Sequence, residues 1–105
     1  MLKTITLENY EKVLSTKSTM LLYFWSESCG ASRILTPVIH RLHMEYDDKL
    51  LVATINIDKE LELSKLFQIK STPAVYILNN GKLIGKAIGV KPGAFYRKML
   101  KKVNE

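Results

Sequence analysis

The sequence has 105 residues, 47% of them apolar, with 16 basic against 10 acidic side chains and a single cysteine. A chain of this size hides about 65% of the surface its unfolded form exposes, so it reads as one domain over residues 1–105, and its lone thiol excludes an internal disulfide. The net charge of +6 gathers partly in Arg97, Lys98, Lys101 and Lys102, without the aromatic interleaving of a nucleic-acid surface, and the longest apolar run, residues 20–25, is too short to span a bilayer.

Residues 2–5 read as a short strand. Thr6 is placed as the N-cap of a helix running to about Leu14, with Leu7, Tyr10, Val13 and Leu14 near one stripe. Residues 20–25 are apolar throughout and bounded by polar neighbours, the pattern of a strand buried on both faces and therefore central. From Gly30 to about Glu45, Ile34, Leu35, Val38, Ile39 and Leu42 recur at helical spacing, and Pro37 predicts a kink. Residues 50–57 read as a second buried strand and residues 59–67 as a short helix.

Residues 74–78 and 83–89 flank Asn79-Asn80-Gly81-Lys82, and Asn-Gly is a strong hairpin signal that makes them antiparallel neighbours. A last helix begins around Pro92, whose missing donor suits a first turn, and is expected to bury Phe95, Met99 and Val103. Tyr10, Phe24, Trp25, Phe67, Tyr76 and Phe95 fall at core periodicities. The order β-α-β-α-β-α-β-β-α predicts an α/β fold, a mixed central sheet of four to five strands flanked by helices on both faces.

The single cysteine lies where the central strand gives way to the long helix, in Phe24-Trp25-Ser26-Glu27-Ser28-Cys29-Gly30-Ala31-Ser32. Pro37, Asn56-Ile57-Asp58, Ser71-Thr72-Pro73-Ala74, Asn80-Gly81-Lys82 and Gly89 follow in order. With these landmarks the chain resembles the thioredoxin family over nearly its whole length. That family's active-site run is Trp-Cys-Gly-Pro-Cys; here the first cysteine and the glycine are kept, while Ser28, Ala31 and Ser32 replace the tryptophan, the proline and the second cysteine.

The resemblance implies the thioredoxin fold and a cis peptide bond at Thr72-Pro73, in a loop beside Cys29 whose exposed backbone edge can pair with an extended substrate segment. Ser28, Gly30, Ala31, Thr72, Pro73, Ile88 and Gly89 would then line the substrate face, with Val90 completing an apolar rim and Gly89 admitting a partner backbone. Tyr23 and Thr54 stand where the family usually carries a buried aspartate and a lysine, groups that assist the attack of the second cysteine. Their loss together with that cysteine is coherent, because all three serve one resolving step.

At a helix start, Cys29 would face unpaired backbone donors and the positive end of the helix dipole, both of which favour thiolate. Ser32 can donate a hydroxyl hydrogen bond to the same sulfur, Arg33 adds positive potential and Glu27 opposes it. The alternative is a small packing residue left at a family position. His40 and His43 fall one turn apart with no third ligand, and read as helix-surface or packing residues; no metal or other cofactor is expected.

A monothiol can begin a disulfide exchange that another thiol must finish. The expected function is therefore exchange through a mixed disulfide at Cys29, with Ser32 in support, acting on protein disulfides or a low-molecular-weight thiol and not as an autonomous dithiol reductase. A non-catalytic binding module is the alternative. A cluster-binding role like that of monothiol glutaredoxins is less well matched, because the residues around Gly85 lack that family's glycine-aspartate motif. The absence of a signal-peptide pattern and the unpaired thiol point to the cytoplasm; a monomer is expected, with neither nucleic acid nor membrane as partner.

Overall fold

The computed structural model describes residues 2–103. Its elements are β1 (Lys3–Thr4), α1 (Tyr10–Leu14), β2 (Thr19–Trp25), α2 (Gly30–Tyr46), β3 (Leu51–Asn56), α3 (Leu61–Leu66), β4 (Ala74–Asn79), β5 (Lys82–Ile88) and α4 (Gly93–Val103), with one 3-10 turn at Asp47–Lys49. The strands form one five-stranded sheet in the order β1-β3-β2-β4-β5. β3 runs parallel to both β1 and β2, whereas β4 is antiparallel to β2 and to β5.

β2 is central, and alternation along it explains why its sequence is apolar without interruption. Leu21 and Tyr23 point into one core with Leu35, Ile39 and Leu42 of α2 and Tyr96 and Leu100 of α4. Met20, Leu22 and Phe24 point into a second core with Val13 of α1 and Leu63 of α3. A strand covered on both faces must be apolar at every position, and one with a solvated face would alternate. In the second core Phe24 meets Phe67 and Tyr76 at ring-centroid distances of 5.3 and 5.0 Å, the latter edge-on.

The hairpin forms as its dipeptide demands. Asn80 and Gly81 take φ values of 55° and 79°, the left-handed backbone that a two-residue turn needs to match the sheet twist. Three expectations are corrected. The first helix does not start from a Thr6 cap: the Thr6 amide donates to Asn9 Oδ1 at 2.8 Å and Asn9 Nδ2 donates to the Thr4 carbonyl at 3.0 Å, so the chain makes a turn first. The helix follows from Tyr10, and Leu7 is left exposed.

In α2 the buried row is Leu35, Ile39 and Leu42, and Ile34 is 65% exposed. In α4 the buried residues are Tyr96 and Leu100; Met99 and Val103 flank them, while Phe95 turns outward to lie under Lys91, 5.6 Å from its ring centroid. An amphipathic stripe defines a helix face only to within about one residue, and the sheet selects the row. Leu22, fully buried at the centre of the sheet, is the sharpest probe of this frame. Leu22→Ala is expected to lower stability by about 3 kcal/mol, read as a reduced midpoint in urea unfolding.

Candidate active site

The site is assembled where β2 ends. Beyond Trp25 the chain leaves the sheet for four residues and enters α2, with Cys29 at the N-cap in extended backbone (φ −94°, ψ 112°). The Cys29 carbonyl accepts from the amides of Ser32 and Arg33 at 3.1 and 3.4 Å, and the Cys29 amide donates to the Ser26 carbonyl at 3.2 Å. Its side chain is partly exposed and unpaired with any other sulfur.

The parallel pairing of β2 with β3 braces this loop. Trp25 lies opposite Asn56, and the Ile57 amide donates to the Trp25 carbonyl at 3.0 Å. One residue further on, Asp58 Oδ2 accepts from Ser26 Oγ at 2.7 Å and from the Glu27 amide at 3.2 Å. Because the Ser26 proton goes to this carboxylate, Ser28, 3.0 Å away, is the donor in the contact between the two hydroxyls. Arg33 closes the loop from the helix side, donating to the Glu27 carbonyl at 3.0 Å. Arg33 therefore acts as a clamp on the loop as well as a nearby charge.

The opposite wall is the loop before β4. The Thr72-Pro73 bond is cis, Pro73 is buried, and the Cys29 thiol donates to the Thr72 carbonyl with Sγ and oxygen 3.4 Å apart. The Gly89 amide donates to the Pro73 carbonyl at 2.8 Å, with Gly89 at φ 86°, a conformation that side chains resist. This bond draws Ile88 and Val90, 52% and 41% exposed, to the edge of the same surface. Ser28 and Gly30, the chain neighbours of Cys29, are exposed, and Ala31 is half-buried.

The Cys29 thiol is lowered from its ordinary 9.0 to about 7. The hydrogen bond from the Ser32 side chain contributes most, followed by the Thr72 side chain and the amides of Ser32 and Ala31, while partial burial works the other way. The thiol's own bond to the Thr72 carbonyl favours the protonated form and is outweighed. Ser32 itself is 1% exposed, and its hydroxyl accepts from the Ser26 amide at 3.3 Å.

Beneath the site a cavity of about 180 Å³ has Tyr23, Trp25, Thr36, His40 and Thr54 among its walls. Tyr23 and Thr54 are register partners across β2 and β3, so the two departures noted in the sequence meet at one place. Among the described residues, the cavity walls carry hydroxyls, one imidazole and one indole, and neither a carboxylate nor a side-chain amine. Two functional contributions were missed in the sequence. Asp58 was read only as a landmark, because its partners lie about thirty residues earlier and no local pattern connects them. Tyr23 was read as a loss, whereas its hydroxyl reaches the Ser32 carbonyl at 2.7 Å.

Two outcomes follow from this geometry. Ser32→Ala is expected to raise the Cys29 midpoint by about one pH unit, followed by the ultraviolet absorbance of the thiolate. Stability should also respond to pH with a definite sign. The folded thiol ionises near 7 and the ordinary one near 9.0, so its stabilising contribution is absent well below 7, grows as pH rises between those values and is complete above them. Cys29→Ser should remove that rise, seen as a difference between the denaturation curves of the two proteins across this window.

Comparison with known proteins agrees with this geometry. The family model described as Thioredoxin matches residues 1–102. The thioredoxin of Buchnera aphidicola subsp. Baizongia pistaciae is 35% identical over 77 residues, covering 73% of this chain and 71% of its own. That of Buchnera aphidicola subsp. Acyrthosiphon pisum is 30% identical over 86 residues, covering 81% and 80%, and that of Chlorobaculum thiosulfatiphilum is 30% identical over 81 residues, covering 77% and 75%. With a mixed five-stranded sheet flanked by helices, a thiol at the helix start and a family match along nearly all its length, the chain belongs to the thioredoxin family of thiol–disulfide oxidoreductases.

Proposed function

We propose that the protein carries out thiol–disulfide exchange through a mixed disulfide at Cys29 and depends on a second thiol, from the substrate or from solution, to complete each cycle. The observation that carries this reading is the pairing at the start of α2: a partly exposed sulfur with its thiol lowered to about 7, and the Ser32 hydroxyl as the neighbour that does most to lower it. A thiol that ionises near the working pH combines a large thiolate fraction with retained nucleophilicity.

The steps balance without any further oxidant. The Cys29 thiolate attacks one sulfur of a disulfide, forming the bond from its Sγ to that sulfur as the other sulfur departs as thiolate. A second thiolate then attacks the substrate sulfur of the mixed disulfide, forming a new disulfide and returning the Cys29 thiolate. The number of disulfides is unchanged, so the chemistry is exchange or isomerisation, including exchange with a low-molecular-weight thiol. Ser32, lacking sulfur, cannot release the adduct from within the chain.

The substrate face in this reading comprises Ser28, Gly30, Ala31, Thr72, Pro73, Ile88 and Gly89. Exposed Ile88 and Val90 offer apolar contact to an extended protein segment, and the Gly89 conformation keeps side-chain bulk away from it. The setting proposed is a reducing one, the cytoplasm, with the protein acting as a monomer. Among the described residues, no helix is long and apolar enough to cross a membrane.

Incubation with glutathione disulfide is expected to leave one glutathione on Cys29, visible as an intact-mass increase and absent from Cys29→Ser. The natural chain should reduce insulin disulfides poorly, and Ser32→Cys should restore the dithiol cycle. Efficient insulin reduction by the natural chain would refute the role given to Ser32. Absence of any adduct would favour a binding module using the same face.

A further inference from the structure

We infer that Tyr23 is a positioning residue for the Cys29 thiolate, its phenol acting with Thr36 to fix the main chain of Ser32 so that the Ser32 hydroxyl serves the sulfur. The inference deepens the exchange function and rests on the reading of Cys29 as the attacking thiol.

Three oxygens meet on the buried side of the first turn of α2. The Tyr23 phenol lies 2.7 Å from the Ser32 carbonyl, Thr36 Oγ1 lies 2.8 Å from that same carbonyl, and the two hydroxyls are 2.8 Å apart. Two protons serve these three contacts, so two hydrogen bonds form at a time and either hydroxyl can relieve the other. The Ser32 carbonyl is thereby anchored to the central strand and not solely to its own helix.

The place where this anchor acts is the weak point of the helix. Pro37 has no N–H, so the Arg33 carbonyl lacks the partner that an unbroken helix would supply. The turn carrying Ser32 immediately precedes that gap, and Tyr23 and Thr36 bind it from the sheet side. On its other side Ser32 is held by the Ser26 amide, whose bond occupies a lone pair of the hydroxyl and leaves the proton for donation. Main chain and side chain of Ser32 are thus both pinned, and the direction in which its proton can be given is settled by the pair of restraints.

The ionisable groups around this arrangement are Glu27 and Asp58 in and beside the loop, Arg33 on α2 and His40 at the cavity. None of them bonds to the three-oxygen cluster among the described residues. Tyr96, buried in the same core, bonds to none of its atoms and supplies an internal control.

The test is the pH dependence of Cys29 alkylation by iodoacetamide in the full chain and its Tyr23→Phe, Thr36→Val, Thr36→Ser and Tyr96→Phe variants. Tyr23→Phe and Thr36→Val are expected to raise the midpoint by about half a pH unit or more. Their plateau rates above the midpoint should rise, because a more basic thiolate is the better nucleophile. Thr36→Ser, which keeps the hydroxyl, and Tyr96→Phe should keep the natural midpoint. A natural midpoint in Tyr23→Phe, or an equal shift in Tyr96→Phe, overturns the inference. Should Tyr23→Phe fail to fold, the contrast between Thr36→Val and Thr36→Ser decides it by the same criterion. A natural chain whose own midpoint is near the ordinary thiol value would refute the reading of Cys29 itself, an outcome distinct from failure of the variants.

Discussion

Everything at the candidate site depends on where β2 stops. This strand is hydrogen-bonded on both edges, to β3 and β4, and packed on both faces, so its end is among the most rigidly placed points in the molecule. The parallel neighbour brings Asn56 to Asp58 alongside the exit, and the antiparallel neighbour brings Thr72 and Pro73 to the opposite side. A short polar loop leaving this end is held between two fixed walls. The sulfur at its far end inherits their precision, because helix and sheet position a group better than a free loop does.

The electrostatics of the sulfur follow from the same placement. The amides of the first helical turn and two hydroxyls stabilise the thiolate, and a carbonyl holds the thiol. The balance favours ionisation near neutral pH, and among the described residues the groups that lower the thiol are hydroxyls and amides. Members of this family act on protein disulfides, and this chain presents a single cysteine, with Ser32 three residues beyond it. The hydroxyls of Tyr23 and Thr36 and the Ser32 carbonyl form a hydrogen-bonded group beside the cavity, whose walls also carry the His40 imidazole.

The sequence was most legible where a local rule has one solution. An apolar run without alternation admits a doubly covered strand, and residues 20–25 proved to be the centre of the sheet. Asn80-Gly81 specifies left-handed backbone at consecutive positions, and the hairpin has it. Legibility failed where neighbouring rows or partners compete. Phe95 and Tyr96 are both aromatic, and only the approach of α4 to the sheet selects Tyr96 for the core. Thr6 and Asn9 are both good capping residues, and the bond from the Thr6 amide to Asn9 delays the helix by a turn.

The sequence by itself determined the element order, the mixed sheet, the position of the lone thiol at a strand-to-helix junction and the absence of a second cysteine. These are properties of periodicity, composition and local backbone preference, which act within a few residues. Tertiary structure decided which groups surround that thiol. Asp58 reaches Ser26 and Glu27 from the end of the neighbouring strand β3, Thr72 reaches Cys29 from the loop before the other neighbour, β4, and the Tyr23 phenol reaches Ser32 from within the core. Such contacts join residues 9 to 43 positions apart, and their geometry is set by strand register and helix docking, which no local pattern encodes.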